Sequence, residues 1–368
     1  MDKHNEQHSE LSRREFLKGA AAAGLAFTAG VESVSRGMAA VPVGDNPVRR
    51  ENAKPGTRDW LLTKIDITND EPVELWRSRR IEGYCSATSV SAGETLKIMV
   101  STNPVSAFDL EVFRTGYYGG TGGRFMKRFD SLEGKTQPDP PVGERRLREC
   151  QWEPSVEFEI PGDWLSGVYL GKLTAKEGGV QSYVIFTVRE DRPCELLFQC
   201  SDMTWLAYNS WPTNEYSLYH NDNNGYTGHK KRKKWSTDAA DTGWVSFDRP
   251  YSQFCQDHLV KNPKSVGTGE FLLWEYHGSP IEDLPGMEVV AHSEVKAGNG
   301  KPRSPHVATV YNGPKGNVVF DVGSIWWAQG LSSPPGHVLP ANGAAKPQGP
   351  DPRVQRMMTN VFDRFIKS

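Results

Sequence analysis

The sequence predicts a mainly β protein, with an immunoglobulin-like β-sandwich over residues 60–192 and a shortened α/β domain over residues 193–368. Two observations set the first part. Apolar residues recur at every second position from about residue 60 to 190, and Gly, Pro and Asp punctuate the runs. A third sets the second part: beyond Arg192-Pro193 the alternation stops, giving way to a continuous apolar run, a long aromatic stretch and a terminal helical pattern. The 36 Gly and 25 Pro agree with strands and long loops rather than a helical bundle.

Residues 1–40 read as an export signal. Ser12-Arg13-Arg14-Glu15-Phe16-Leu17-Lys18 precedes a mild apolar stretch, Gly19 to Gly30, and small residues around Gly37-Met38-Ala39-Ala40. Paired arginines before a weakly hydrophobic Ala/Gly core form the twin-arginine pattern. The stretch falls short of the ~20 strongly apolar residues of a permanent membrane span, and no later segment qualifies. The expected location is periplasmic or secreted. Twin-arginine export carries folded proteins, often with a cofactor inserted, which points toward a bound metal or cofactor.

Residues 41–59 are polar and Pro-rich and read as a linker. The sandwich strands follow. Leu96, Ile98 and Val100 alternate with polar residues, as do Phe108, Leu110 and Val112, then Val156, Phe158 and Ile160, then Val168 and Leu170, then Val184, Phe186 and Val188. Turns are expected at Ser91-Ala92-Gly93, Pro161-Gly162-Asp163 and Gly178-Gly179. Glu195 to Gln199 is continuous rather than alternating and predicts a strand buried on both faces. From Ser201 to about Asn262 the chain is polar and aromatic with little period, a pattern of functional loops. Strands are expected again at Val307–Tyr311 and Val318–Val322. A helix closes the chain, with Asp351 as N-cap, Pro352 in the first turn, and Val354, Met357, Met358, Val361, Phe362 and Phe365 on one face. Between residues 204 and 350 no amphipathic window of three turns occurs, so the helices that cover a parallel sheet are missing.

Charge and motif content exclude several functions. With 43 basic and 45 acidic residues, the chain carries no electrostatic footprint for nucleic acid or an anionic membrane. Five Cys without a Cys-x-x-Cys exclude a zinc ribbon and a thioredoxin-like dithiol, and no essential disulfide is expected. Gly116-Tyr-Tyr-Gly-Gly-Thr-Gly-Gly123 does not open a helix and reads as a structural loop rather than a phosphate cradle. His229-Lys-Lys-Arg-Lys-Lys-Trp235 reads as a solvated face. No nucleophile elbow and no His-Glu-x-x-His helix is present.

What remains is the stretch after residue 201, holding Asp202-Met-Thr-Trp-Leu-Ala-Tyr-Asn209 and Ser246-Phe-Asp-Arg-Pro-Tyr251. In open α/β sheets, sites form beyond the carboxyl ends of strands. Tyr208 and Tyr251 both lie there. A phenol titrates near 10, so it becomes a ligand only beside a strong Lewis acid such as a ferric ion. From composition alone, aromatic packing is the simpler reading of both.

Phe113-Arg-Thr-Gly-Tyr-Tyr-Gly-Gly120, Ile160-Pro-Gly-Asp-Trp-Leu-Ser-Gly-Val-Tyr169, Thr204-Trp-Leu-Ala-Tyr-Asn209, Ser246-Phe-Asp-Arg-Pro-Tyr251 and Gly269-Glu-Phe-Leu-Leu-Trp-Glu275 together resemble the large (β) subunit of N,N-dimethylformamidase. The resemblance implies an amidotransferase-like α/β domain and an amidohydrolase whose mononuclear iron is held by two Tyr and one Glu. Tyr208 and Tyr251 match the two tyrosines. Iron in that family polarises the formamide carbonyl and activates a water for attack, giving an amine and formate. The family's Gly-His-Asp-Glu-Tyr-Trp segment, which supplies the Glu, is absent, and the chain passes from Glu275 to Tyr276-His277-Gly278 as if the middle of the domain were missing. Glu270, Glu275 and Glu294 are the available substitutes, and spacing selects none of them.

Two functional readings follow. The first is an exported iron-dependent amidohydrolase acting on a small amide, with a homo-oligomer left open. The second is a non-catalytic exported protein whose sandwich binds a partner or glycan, or an inactive, internally deleted family member. The substrate itself is not fixed by the resemblance.

Overall fold

The computed structural model describes residues 46–66, 77–192, 194, 196–198, 200, 202–213, 216–218, 243–252, 285–294, 305–313, 316–322, 327–333 and 349–367. These fall into two compact units, one within residues 45–269 and 333–343 and the other within residues 270–332 and 344–368.

The first unit holds eight strands in two sheets. β1 (Glu82–Cys85), β3 (Thr95–Ser101) and β6 (Pro154–Glu159) form an antiparallel sheet in the order β1-β3-β6. β2 (Ser89–Ser91), β4 (Phe108–Thr115), β5 (Gly123–Leu132), β7 (Gly167–Ala175) and β8 (Gln181–Arg189) form the other, in the order β2-β8-β7-β4-β5. Only the β2–β8 pair within it is parallel. One face of each sheet feeds a single core: Leu96, Ile98, Val156 and Phe158 from the smaller sheet, Phe108, Leu110, Leu173, Val184 and Phe186 from the larger. These are the alternating positions of the sequence, buried because successive side chains on a strand point to opposite faces.

The alternation undercounts burial, because both sheets are covered on their second faces as well. On the larger sheet, Phe113, Leu170 and Tyr183 pack with Trp60 and Leu62. The glycine loop between β4 and β5 serves that contact. A Cβ on Gly123 would meet the Trp60 ring at 2.6 Å, and the Trp60 indole donates to the Thr121 carbonyl at 2.9 Å. The loop joins two strands and is structural, as expected. At the four-residue turn between β7 and β8, closed by the Ala175 amide on the Val180 carbonyl at 2.9 Å, Gly178 and Gly179 both have positive φ (75° and 64°), which glycine adopts without strain.

Part of the expected linker is folded. Pro47–Asn52 forms a short helix, α1, whose N-cap Asn46 accepts from the Val48 and Arg49 amides at 2.9 and 3.2 Å. Glu51 on this helix is 4% exposed and accepts from the Tyr118 hydroxyl at 2.9 Å and Arg124 Nε at 2.6 Å, with Lys54 Nζ at 2.7 Å. Burial raises its pKa, but bonds from Lys54, Arg124 and Tyr118 outweigh that and bring it down to about 2.

The second half departs from expectation in two ways. Leu196, Leu197 and Phe198 belong to no strand, and Leu197 and Phe198 are 89% and 81% exposed. A continuous apolar run becomes a buried strand only when chains pair along both its edges, and no described residues do so here. Nor is the described sheet of the second unit parallel. β9 (Met287–Ser293), β10 (His306–Asn312) and β11 (Val318–Asp321) run antiparallel in the order β11-β10-β9. The hairpin between β10 and β11, closed by the Gly313 amide on the Asn317 carbonyl at 2.7 Å, is far too short for a parallel crossover. The last helix forms as read over Pro352–Lys367, with Asp351 accepting from the Arg353 amide at 2.8 Å and Val354 packed on Gly330. Cys85, Cys150, Cys194 and Cys200 are free thiols, and Cys255 and the basic run at 229–234 lie outside the described residues.

Candidate functional site

The aromatic stretch after residue 201 docks on the outer face of the β1-β3-β6 sheet. Tyr84 and Met99 point outward from that sheet and join Cys150, Trp152 and Trp211 in a buried cluster. Trp152 meets Trp211 edge-on at 6.0 Å. The Trp211 indole donates to Glu82 Oε2 at 2.8 Å, and the Arg77 guanidinium lies 4.9 Å from the Trp211 ring centre. Arg77 also bridges Glu82 and Asp139, each at 2.7 Å. Burial works against the Arg77 charge, but Glu82 and Asp139 more than offset it and hold its pKa above the usual value. The bond from Arg77 likewise lowers Asp139. Burial pushes the Tyr84 phenol up to about 12, so it stays protonated and accepts from the Trp152 amide at 3.3 Å.

A second helix in the unit, α2 (Asp202–Tyr208), ends on the first candidate tyrosine. Its Leu206 and Ala207 are buried, while Tyr208 is half-buried. The next residue, Asn209, is wholly buried and ties the two tyrosine segments together. Its amide nitrogen donates to the Pro250 carbonyl at 2.9 Å, and its oxygen accepts from the Ser252 amide at 3.0 Å. Tyr251 lies between those two anchored residues. Thus tyrosines 43 positions apart in sequence flank one junction. Arg249, 1% exposed, locks the same junction by donating to the carbonyls of Asn209 at 3.1 Å and of Trp211 and Tyr216 at 2.9 Å each. Buried carbonyls need partners, and a guanidinium's fork of donors can serve several at once.

Tyr251 also lines a groove shared with Trp205, Phe247, Ala87, Ile185 and Asp202. It is shallow, with a cavity volume of about 40 Å³. Cys200 opens into it, 3.9 Å from the Thr187 hydroxyl; burial raises its pKa, so the thiol is neutral there.

Residues 109–277 match the family model described as N,N-dimethylformamidase beta subunit-like, C-terminal. The chain therefore carries a domain of the N,N-dimethylformamidase beta subunit-like family. That span includes both tyrosines and ends at residue 277, where the sequence passes from Glu275 to Tyr276-His277-Gly278. Residues 10–30 match a twin-arginine translocation signal, so the chain is addressed for export to the periplasm or beyond. No curated protein matches the chain. Among solved structures, the sulfur carrier protein SoxY from Chlorobium limicola f thiosulfatophilum is similar over 30% of this chain and 79% of its own, at 14% identity and a TM-score of 0.17. A likeness of that size carries no argument. Among the described residues no helix is long and apolar enough to cross a membrane.

Tyr208 at the end of α2 and Tyr251 between Pro250 and Ser252 are tied to one junction by the Asn209 side chain. The carboxylate donor is not placed with them. Glu270 and Glu275 lie outside the described residues, and Glu294 is exposed just after β9 in the other unit. Among the described residues no three His, Cys, Asp or Glu gather into a metal cluster. Asp202 is a carboxylate that shares the groove with Tyr251. Asn209 and Arg249 stand inside the motifs read from the sequence, but their roles there had no periodic signal. A buried-type Asn and an Arg flanked by Pro, within an otherwise aromatic stretch, were the available clue.

Proposed function

We propose that this exported member of the N,N-dimethylformamidase beta subunit-like family is an amidohydrolase that cleaves the C–N bond of a small amide, with Tyr208 and Tyr251 as ligands of a mononuclear iron. The observation that carries the reading is the Asn209 side chain, which bonds the residues on both sides of Tyr251 immediately beside Tyr208. The sandwich reading extends to an immunoglobulin-like arrangement of the two sheets. A ferric ion there supplies Lewis acidity toward the amide carbonyl. The chain's own part is to hold two phenol oxygens at a rigid junction and to keep that junction dry on its Asn209–Arg249 side. The overall reaction adds the oxygen of water to the acyl carbon and breaks the C–N bond. The amine leaves with a proton and the acid remains.

The test uses the exported chain purified with its metal. Stoichiometric iron and a visible phenolate charge-transfer band, both lost in Tyr208→Phe and Tyr251→Phe, are the expected results, with amine released from a formamide. A colourless, iron-free protein that releases no amine would favour the non-catalytic binding protein instead.

A further inference from the structure

We infer that a polar cavity at one end of the β1-β3-β6 sheet is a binding site for a single neutral sugar unit, held through its hydroxyl groups. Its lining is separate from that of the groove beside Tyr251, and it does not depend on the amidohydrolase reading. It lies where β1 begins and β3 ends, at the paired residues Glu82 and Ser101, and the segment after β5 walls it with Thr136 to Asp139. The cavity volume is about 270 Å³. At ~30 Å³ per water this is room for roughly nine waters, enough for one sugar ring. It is below the roughly 300–1,000 Å³ of pockets for larger, mostly apolar ligands.

The walls are pinned to one another. The Gln137 amide donates to Ser101 Oγ at 3.0 Å, Thr136 Oγ1 donates to the Thr102 carbonyl at 2.7 Å, and the Asn103 amide donates to the Arg79 carbonyl at 3.1 Å. Arg77, Glu82, Ser101 and Gln137 line the cavity although each is buried, so they form its floor. Asn103, Thr136 and Asp139 are exposed and form its rim. The charges are spent on each other. Arg77 bridges Glu82 and Asp139, and with Arg79 the lining holds two guanidiniums against two carboxylates. The spare hydrogen-bonding capacity belongs to uncharged groups. Among the described residues Gln137 Oε1 accepts no bond, the Ser101 hydroxyl accepts but does not donate, and the Asn103 side-chain amide has no partner. An acceptor, a donor and a group that is both, with no net charge around them, match sugar hydroxyls, each of which donates and accepts. An anion would face Glu82 and Asp139, and an apolar body would leave the neutral groups unpaired.

The experiment is ligand-observed saturation-transfer NMR on the exported chain with D-glucose, D-galactose and D-mannose, each run beside its methyl glycoside. Saturable binding of at least one hexose is expected, with a dissociation constant on the order of 1 mM, because the lining offers little apolar area to bury. Asn103→Trp fills the cavity from the rim and abolishes the transfer. Gln137→Ala removes one floor acceptor and weakens binding roughly fivefold, the scale of one hydrogen bond. It also keeps the test open should Asn103→Trp fail to fold by circular dichroism. The uronic acid of whichever hexose binds is expected to bind at least about fivefold less tightly, because its carboxylate meets those of Glu82 and Asp139. No saturable binding of any hexose, binding untouched by both variants, or a uronic acid that binds as tightly as its hexose overturns the inference. A glycoside that binds as well as the free hexose identifies a glycan end as the ligand, and one that does not bind identifies a free sugar; either result carries the inference.

Discussion

Phe108, Leu110 and Phe186 are as buried as Asn209 and Arg249, yet the two groups hold the same unit together by opposite means. In the two-sheet core, strands satisfy their own backbone groups through the ladder, and side chains need only fill space. Among the described residues of 202–252 there is no ladder. The carbonyls of Asn209, Trp211, Tyr216 and Pro250 find their partners in two side chains. The core spreads its stabilisation over twenty buried residues. The tyrosine junction concentrates its own in two. A region built the second way tolerates little substitution, but it can fix loop residues as firmly as a sheet does.

The sharpest break in this comparison comes from the core. Phe108→Ala empties a fully buried site and is expected to cost about 4 kcal/mol, with every probe of the unit unfolding together. Thermal denaturation followed by both far-UV and near-UV circular dichroism checks it, and separate transitions would contradict a shared core. Arg249→Met is expected to cost about 3 kcal/mol by stranding two buried carbonyls and a third, part-buried one, but locally. Hydrogen exchange should rise across residues 205–216 while the amides of β4 and β7 stay protected. Equal loss of protection in β4 would show that the junction is part of the core after all.

These two cases also explain what was legible in the sequence. The alternation at Phe108, Leu110 and Val112 is imposed by geometry and can be counted, so the core strands could be read directly. β1 could not, because Glu82 is buried only through Arg77 and Trp211, partners 5 and 129 residues away. Glu195 to Gln199 misled for the opposite reason. Its composition is that of a central strand, but burial depends on neighbours the run does not itself encode. The tyrosines were legible through the resemblance. Asn209 and Arg249 were not assigned, because a side chain that bonds a distant carbonyl leaves no repeat along the chain.

The helix preceding the sandwich combines both modes, and pH separates them. Glu51, held down at about 2 in the folded chain against an ordinary value of 4.5, contributes stability that is complete above about pH 4.5. That contribution is lost as pH falls toward 2. The shift corresponds at most to about 3 kcal/mol, and because Lys54 is half exposed, about 2 kcal/mol is the better expectation. Denaturant titrations at pH 6 and pH 2.5 should differ by that much more in the native chain than in Glu51→Gln. Equal acid sensitivity in the two would mean that the carboxylate is not paired as its contacts to Tyr118 and Arg124 require.

The smallest effect is at the start of the same helix. Asn46 caps α1 through one side-chain oxygen shared by the Val48 and Arg49 amides, and Asn46→Ala should cost about 1 kcal/mol. What makes this variant informative is where the cost falls. A six-residue helix is far below the length that is stable alone, so α1 persists only because Glu51 and Asn52 dock it against the β4–β5 loop. If docking dominates, Asn46→Ala frays the first turn and raises exchange at Val48 and Arg49, while the Glu51 contacts and the acid response survive. If the cap is what forms the helix, the variant releases Glu51 as well, and its stability loses the acid sensitivity of the native chain. The acid response of a surface-cap variant therefore decides whether this segment is held like the core, by its own regular structure, or like the tyrosine junction, by buried polar side chains.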